Sequence, residues 1–498
     1  MEMINGFLSV FEPLTFIYLL IGVLAGSVLG VLPGLTATMG VAVLTPLTFW
    51  LPPSQGFAML IGVYNSALWA GGITAILINT PGTPASIAST FDGYAMTKRG
   101  EAGIALGINT IYSVIGGLFS TLVLAVFSFP LSNFALGFGP SEYFAVSIWG
   151  ITMMAAVSNG SVIKGLILGV AGLLVSTIGI DPMLGFKRFT FGNTNLLDGI
   201  SFVPVLIGMF GLSEILYQIS TYRKEEQRSS EVLSRIRIGS VFMKWTRYAA
   251  TIPSTIMSSV VSVIVGAIPG AGGDIASIIC WGQAKKMSKK SEEFGKGSVE
   301  GLASSCTANN GVIGGALTTM LTLGIPGDAV TAVLIGSLMV YGIQPGPAMF
   351  VENQPLVMTI IALMVMANLI ILVFGLATSK ISTKILLVNQ KTIWVTVIIL
   401  CVVGSFALNN SFYDVVFMVI GGLLGFLFRK LDFPAGPFIL GLLLGKLVES
   451  NLRRGLSLTQ GSYIDFFNRP ITLTIFGLII LSLVWSFKKK KITATGTP

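Results

Sequence analysis

Apolar runs and short polar breaks alternate along the chain from Leu14 to Phe487. Runs fit to enter a bilayer fall at 14–32, 36–51, 56–79, 104–130, 134–156, 161–180 and 200–219. They recur at 250–268, 301–324, 327–343, 356–378, 392–408, 412–428, 433–448 and 470–487. Lipid offers the backbone no hydrogen-bond partner, so each long run is read as a helix. Some runs are too short to span and read as half-helices. The pattern predicts an all-α, polytopic integral membrane protein with about 12 crossings, since one crossing needs about 20 apolar residues.

Composition supports this. The 498 residues are 53% hydrophobic and only 10% charged, with a mean hydropathy of +0.85; a soluble chain keeps about a quarter of its residues charged. Many of the glycines lie inside apolar runs ("GVLAGSVLGVLPG", "GGLLGF"), where they let helices pack closely in lipid. The net charge of +9 points to membrane topology rather than to nucleic acid. Cys280, Cys306 and Cys401 show no metal or redox spacing. The absence of histidine removes the commonest metal ligand and proton shuttle. No basic stretch precedes the first apolar run, so no cleaved signal peptide is expected.

Lys98 and Arg99 are the first basic residues, whereas 221–248 carries Arg223, Lys224, Arg228, Arg235, Arg237, Lys244 and Arg247. The positive-inside rule makes that segment cytoplasmic, together with the "FKKKK" tail. "NLRRG" at 451–455 does not fit a simple alternation with the tail. The segment divides the chain into a first membrane repeat (1–220), a basic linker (221–248) and a second repeat with additional C-terminal helices (249–498). The halves resemble each other: "GVLPGLTATMG" (30–40) matches "GAIPGAGGDIA" (266–276), and "GGITAILINTPGTPAS" (71–86) matches "GGALTTMLTLGIPGDAV" (314–330). One half begins free of basic charge and the other just after a basic loop, which predicts inverted structural repeats.

Four Pro-Gly pairs interrupt these runs: Pro33-Gly34, Pro81-Gly82, Pro269-Gly270 and Pro326-Gly327. Proline removes a backbone donor and glycine lets the chain turn. Such breaks persist at membrane depth only where protein or a watery cavity satisfies the freed groups. Small polar residues follow each break and suit N-caps. Helix N-termini favour anions, and the carbonyls, hydroxyls and carboxylates opposite suit a small cation. The candidate substrate-binding set is Gly34, Thr36, Thr38, Asn79, Thr80, Pro81, Gly82, Thr83, Ser86, Pro269, Gly270, Gly272, Gly273, Pro326, Gly327, Asn309 and Asn310. Asp274 and Asp328 are the candidates for a coupling sodium ion or proton, because an acid at membrane depth is expensive and usually has a role. No other metal and no cofactor is expected.

The long motifs "LPGLTATMGVAVLTPLTF", "GGITAILINTPGTPASIASTFDGYAMTKRGEAGIALG" and "FGKGSVEGLASSCTANNGVIGGALTTMLTLGIPGDAVTAVLIGSLMVYGIQPGP" resemble the large membrane subunit of tripartite tricarboxylate transporters, the TctA family. The resemblance is strong over roughly 20–350. It implies an ion-driven secondary transporter of citrate-like carboxylates in the bacterial inner membrane. It also implies a small TctB-like membrane subunit and a periplasmic TctC-like binding protein as partners.

Other residues read as structural. Asp92 is expected in a cytoplasmic turn, Lys164 and Lys446 as snorkelling cations, Lys285, Lys286, Lys289 and Lys290 as a solvated run, and Glu142 and Glu214 as interhelical partners. Asn65, Asn309 and Asn310 offer amides either to a carboxylate or to neighbouring helices. The competing classes are an ATP-driven permease subunit and an intramembrane enzyme. "EAGIALG" (101–107) only superficially matches an importer coupling loop, and no Walker A lysine is present. An enzyme would need a nucleophile–base or metal constellation, for which a chain without histidine offers little.

Overall fold

A computed structural model describes residues 2–157, 161–181, 183–221, 238–379 and 390–495. Of the basic linker, Arg223, Lys224, Arg228, Arg235 and Arg237 lie outside the described residues. The helices in chain order are α1 (Glu2–Leu8), α2 (Pro13–Val31), α3 (Ala37–Thr48), α4 (Pro53–Ile78), α5 (Ile87–Lys98), α6 (Ala102–Ala135), α7 (Pro140–Val157), α8 (Val162–Ser176), α9 (Phe202–Ile207) and α10 (Ser213–Thr221). After the linker come α11 (Trp245–Gly266), α12 (Gly272–Met287), α13 (Val299–Leu323), α14 (Ala329–Val340), α15 (Met349–Glu352), α16 (Gln354–Thr378), α17 (Gln390–Asn409), α18 (Phe412–Lys430), α19 (Ala435–Leu458), α20 (Tyr463–Phe467) and α21 (Pro470–Thr495). A π-helical turn, Gly208–Leu212, makes α9 and α10 one continuous span. Among the described residues the sheet structure is one two-stranded antiparallel ribbon, β1 (Gly179–Ile180) and β2 (Lys187–Arg188). The protein is all-α, and nine helices among the described residues are long and apolar enough to cross a membrane, with four shorter apolar helices beside them.

Two helices form the centre. In α4 every residue from Gly56 to Leu77 is buried, and in α13 every residue from Gly301 to Thr322. Such all-round burial accounts for the composition of α13. It is rich in Ser, Thr and Asn, and it is not among the nine apolar helices although it is 25 residues long. A helix enclosed by protein needs small residues and interhelical hydrogen bonds more than lipid-soluble side chains. Asn309 Nδ2 donates to the Leu68 carbonyl at 2.8 Å, and Asn310 Nδ2 to the Asn65 carbonyl at 3.0 Å. Asn109 on α6 donates to the Trp69 carbonyl at 3.0 Å. These three amides tie α4 to its neighbours.

The same order of elements occurs on each side of the linker. A long helix breaks and returns as a shorter one (α2–α3, α11–α12). A fully buried helix breaks and continues as a 12-residue helix (α4–α5, α13–α14). A long apolar helix follows (α6, α16). Packing repeats as well: α2 lies along α4 as α11 lies along α13, and α3 meets α17. The pairs α7–α8 and α18–α19 flank this core, with α8 against α19 and α18 against the π-helical turn.

Charged contacts mark two opposite ends. At one, Asp181 after β1 takes Arg453 of α19 at 2.8 Å and Arg188 of β2 at 3.3 Å, and Glu449 binds both arginines. The Leu184 and Met183 amides and Arg453 hold the Asp181 carboxyl below the usual carboxylate range. The awkward "NLRRG" stretch is therefore the end of a helix, with Arg453 engaged by Asp181 of the neighbouring ribbon and by Glu449 one turn earlier in its own helix. At the other end Arg99 donates to the Gly297 carbonyl at 2.6 Å. Lys164 donates to the Leu431 carbonyl at 2.7 Å and sits over the Phe433 ring, closing the C-terminus of α18.

Asp92 departs from expectation. It lies inside α5, fully buried. Its Oδ1 accepts the amides of Gly295, Gly297 and Ser298 at 2.7–2.9 Å, and its Oδ2 accepts Trp281 Nε1 at 2.7 Å. The carboxylate clamps the loop before α13 onto α5. Its sequence neighbours "FDGYAMTKRG" look like a turn because the partners come from nearly 200 residues away.

Candidate functional site

The four helix breaks meet. Thr36, Thr38, Thr83, Gly270, Gly272, Gly273, Asp274 and Asp328 line one cavity of about 300 Å³, walled also by Leu68, Met154, Phe210, Val330 and Gly436. Each break is built from local rules. At Gly34 and Gly270 the chain reverses with φ of +86° and +80°, the left-handed region that glycine enters without strain. At the other two breaks the reversal comes earlier, at the C-caps Asn79 (φ 58°) and Gly324 (φ 71°). There the glycine of the Pro-Gly pair serves close approach instead. A Cβ on Gly82 would stand 2.8 Å from Gly71 Cα and closer still to the Gly30 carbonyl; one on Gly327 would stand 2.5 Å from Ala316 Cα and from the Gly266 carbonyl. The expectation that Pro81-Gly82 itself ends α4 is thus corrected by two to three residues. Gly30 lies in the last turn of α2 and Gly266 ends α11, so each fully buried helix breaks against the tip of the preceding hairpin.

Small polar groups then start the returning helices. Thr36 Oγ1 accepts the Met39 amide at 3.1 Å. Asp328 caps α14: its Oδ1 accepts the Thr331 amide at 2.8 Å, while its own amide donates to Thr331 Oγ1 at 2.9 Å. Before α5, the Ser86 hydroxyl donates to the Thr83 carbonyl at 2.8 Å. Thr83 lines the cavity, while its hydroxyl is shielded from that space and lies against Gly71 of α4, within the Thr83–Ser86 capping box. The tips of the two halves touch, since a Cβ on Gly273 would lie 2.8 Å from Ala85 Cβ. Four N-termini (α3, the turn before α5, α12 and α14) therefore face one space.

The halves are not chemically equal. Counting from each Pro-Gly, Thr38 corresponds to Asp274 and Thr83 to Asp328. The first half supplies hydroxyls where the second supplies carboxylates. Asp328 Oδ2 also accepts the hydroxyl of Tyr64, a fully buried residue of α4. Tyr64 was not legible as a site residue, because its partner lies in the other half of the chain.

Other sequence candidates frame the cavity rather than line it. Gly34, Pro81, Gly82, Ser86, Pro269, Pro326 and Gly327 shape the breaks. Asn79 and Thr80 are exposed and away from the lining set. Asn65, Asn309 and Asn310 bond between helices, with Asn65 Nδ2 on the Ile61 carbonyl at 3.0 Å. The Oδ1 atoms of Asn309 and Asn310 are buried without a partner among the described residues.

Two further cavities adjoin the core. One of about 280 Å³ shares Thr36, Thr38, Pro84, Phe210 and Ala435 with the central cavity and reaches Glu214 and Arg429. The other, about 540 Å³, lies beside the β-ribbon and is lined by Asn195, Asp198, Asn409, Asp414 and Lys446. Lys446, expected to snorkel, borders this polar space. Among the described residues no group of three or more His, Cys, Asp or Glu is placed to hold a metal ion.

This arrangement has relatives in sequence. The chain is 33% identical over 490 residues, 98% of its length and 96% of the relative's, to an uncharacterized 52.8 kDa protein from the TAR-I ttuC' 3' region of Agrobacterium vitis. An uncharacterized protein from the TAR-II ttuC' 3' region of the same organism is 32% identical over 227 residues, 45% of this chain and 94% of that one. No solved structure matches the chain. Residues 16–440 match the family described as the tripartite tricarboxylate transporter TctA family; the span takes in all four breaks and the cavity they enclose, and the chain belongs to that family.

Proposed function

We propose that the protein is the large permease subunit of an ion-gradient-driven secondary transporter of the bacterial inner membrane. It imports tricarboxylates such as citrate, or related carboxylates, handed over by a periplasmic TctC-like binding protein, and works with a small TctB-like membrane subunit. The observation that carries the reading is the convergence of four helix N-termini, with Thr36, Thr38 and Thr83, on one 300 Å³ space, in a member of this transporter family. That volume sits at the lower end of the range for small-molecule sites, about 300–1,000 Å³.

In this reading the carboxylate is held by the amides at the starts of α3, α5, α12 and α14 and by Thr36, Thr38 and Thr83. Asp274 and Asp328 take the coupling sodium ion or proton. The repeats 1–220 and 249–498 have inverted topology. The β-ribbon, with Asp181 and Arg453, then faces the periplasm, and the loops around Lys98–Arg99, Lys285–Lys290 and Arg429–Lys430 face the cytoplasm, in line with the positive-inside rule. The two hairpins α2–α3 and α11–α12 enter from opposite sides and end at the midplane. Energy comes from the gradient and not from nucleotide. The test is counterflow of labelled citrate and other di- and tricarboxylates in proteoliposomes without nucleotide. Exchange under a sodium or proton gradient supports the reading; exchange that requires ATP and an added ATPase subunit refutes it.

A further inference from the structure

The central cavity holds two carboxylates and, among its described lining residues, no cationic side chain. The nearest route to a cation runs through the adjoining 280 Å³ cavity, whose lining includes one cation, Arg429. The two cavities share Thr36, Thr38, Pro84, Phe210 and Ala435, so they adjoin along the start of α3. Arg429 stands at the end of α18. Its guanidinium pairs with Glu214 of α10 and lies 3.9 Å from the centre of the Tyr217 ring. The two partners differ in exposure: the Arg429 side chain is 42% exposed and that of Glu214 only 8%.

Glu214 is also connected to the hairpin tip. Gln218, one turn further along α10, points its Nε2 at Glu214 Oε1 at 3.4 Å, and its Oε1 accepts Trp394 Nε1 at 2.8 Å. The same amide lies against the Pro33–Gly34 break: a Cβ on Gly34 would meet Gln218 Nε2 at 2.7 Å. A single polar line therefore runs from the solvent-facing guanidinium, through Glu214 and Gln218, to the tip of α2–α3, whose Thr36 and Thr38 border both cavities.

We propose that Arg429 is the relay for the substrate carboxylate on the cytoplasmic side of the site, with Glu214 as the counter-ion that it exchanges for the substrate. A carboxylate leaving the helix ends at Thr36 and Thr38 enters the second cavity and meets Arg429, which matches carboxylate geometry through its planar fork. Glu214 competes for the same guanidinium, so Arg429 does not retain the substrate and the anion passes on. The pair thereby acts on release rather than on first capture. The inference rests on the transporter reading above, and its test has one arm that requires no substrate.

That arm uses Ser213→Cys, in the second cavity, on a background where Cys280, Cys306 and Cys401 are replaced. Inside-out vesicles are exposed to membrane-impermeant thiol reagents of equal size and opposite charge. A unit charge ~8 Å from the thiol should change the anionic-to-cationic rate ratio about tenfold after screening. Arg429→Gln should lower the ratio by about that factor, Glu214→Gln should raise it, and Arg429→Lys should keep it. An unchanged ratio in both neutral variants overturns the relay, whatever the substrate proves to be. The second arm measures uptake of whichever labelled carboxylate the wild type transports. Arg429→Gln should cut the maximal rate several-fold with little change in half-saturation from the outer side, and Glu214→Gln should slow release. Wild-type rates in Arg429→Gln overturn the relay but leave the central site standing; no transport of any carboxylate by the wild type, with the thiol ratios as expected, overturns the transporter reading instead. If Arg429→Gln fails to accumulate because Glu214 is left buried and unpaired, the double variant Arg429→Gln/Glu214→Gln restores the balance of charge. It should show a lowered maximal rate, and a wild-type rate there also overturns the relay.

Discussion

Replacing Gly82 by alanine adds one methyl group at a position with ordinary backbone angles, so any effect comes from contact and not from a forbidden φ. The added Cβ would lie 2.8 Å from Gly71 Cα and 2.9 Å from Thr74 Oγ1, and nearer still to the Gly30 carbonyl. Gly71 and Gly30 are backbone of two different helices, α4 and α2, and neither can turn aside as a side chain would. Overpacking of this kind costs typically about 1–3 kcal/mol, and relief requires the α2 tip and the start of α5 to move apart. Thr36 and Thr38 follow the α2 tip at the start of α3, and Thr83 begins the turn that leads into α5. A loss of 1–2 kcal/mol from the correctly closed arrangement lowers its population by about 5–30-fold, and transport should fall in proportion while the protein still inserts. Gly327→Ala, which meets Ala316 Cα and the Gly266 carbonyl at 2.5 Å, should behave alike. Gly282→Ala in α12, with no atom within 4 Å of its Cβ, is the control and should be neutral or slightly stabilising. The measurements are initial uptake rate normalised to membrane abundance, and thermal stability in detergent. Normal uptake by Gly82→Ala at wild-type abundance would refute the argument that the break must close against the hairpin tip.

Tyr64→Phe removes the hydroxyl bonded to Asp328 and should lower thermal stability by roughly 1.5–3 kcal/mol, the range for a hydrogen bond to a charged group; an unchanged melting temperature would show that the bond contributes nothing net. Thr83→Val, which replaces by a methyl the hydroxyl of a residue that lines the cavity, should raise the half-saturation for a carboxylate without reducing stability, read from uptake and melting curves together. Asp181 titrates below the usual carboxylate range because the Leu184 and Met183 amides and Arg453 favour its ionised form. Its stabilisation of the ribbon is therefore complete above the unfolded value near pH 4 and is lost as pH falls through the lower native value. Protection factors for amide exchange at 179–181 and 183–188, with the intrinsic pH dependence of exchange divided out, should be flat from pH 7 to 5, and protection lost already at pH 6 would contradict this. For topology, Phe191→Cys, 90% exposed beside the ribbon, should react with an impermeant reagent from the periplasm and Glu292→Cys only after permeabilisation; the reverse pattern would invert the assigned orientation.

Much of this architecture was legible because membrane helices obey local rules. Uninterrupted apolar runs gave α2, α6 and α16, and the Pro-Gly pairs located the breaks within a few residues. What escaped was settled by partners distant in sequence. Asp92 reads as a turn residue until Gly295, Gly297, Ser298 and Trp281 are brought to it. Helix α13 was legible as the run 301–324, but the reason for its asparagines was not: they bind carbonyls of α4. The position of each chain reversal also eluded the motif. Glycine in "PG" signals either a positive φ or a close approach, and only the packing of Gly30 on Gly82 and of Gly266 on Gly327 distinguishes them. At the site, the small polar residues after the breaks were legible as cap chemistry. The exposed Asn79 and Thr80 were not distinguishable from them, since caps and loop residues use the same side chains.

The inequality of the halves has an electrostatic consequence for the proposed mechanism. Each helix N-terminus carries the equivalent of about half a positive charge, so the four ends around the cavity supply about two. Asp274 and Asp328 supply two negative charges when ionised. The empty cavity is then close to neutral and gives an approaching carboxylate little net attraction. A sodium ion or proton taken up at either aspartate leaves the space net positive before the substrate arrives. A unit charge ~5 Å from a carboxylate at an effective dielectric near 20 is worth about 3 kcal/mol, and partial hydration reduces this to a change in affinity of roughly ten- to a hundredfold. The cation should therefore bind first, and the half-saturation for the carboxylate should fall by that factor as the coupling cation rises from trace to saturating levels. Asp274→Asn and Asp328→Asn keep the size of the side chain, and at 328, the N-cap of α14, Asn caps a helix as well as Asp does, so both variants should insert normally. Each should flatten the dependence on cation. The experiment titrates sodium at fixed pH, and then pH at fixed sodium, while following uptake of the labelled carboxylate. A half-saturation that ignores both cations in the wild type, or a full cation dependence retained in the double variant, would remove the two aspartates from the coupling step and leave the four helix ends as an anion site whose driving ion binds elsewhere.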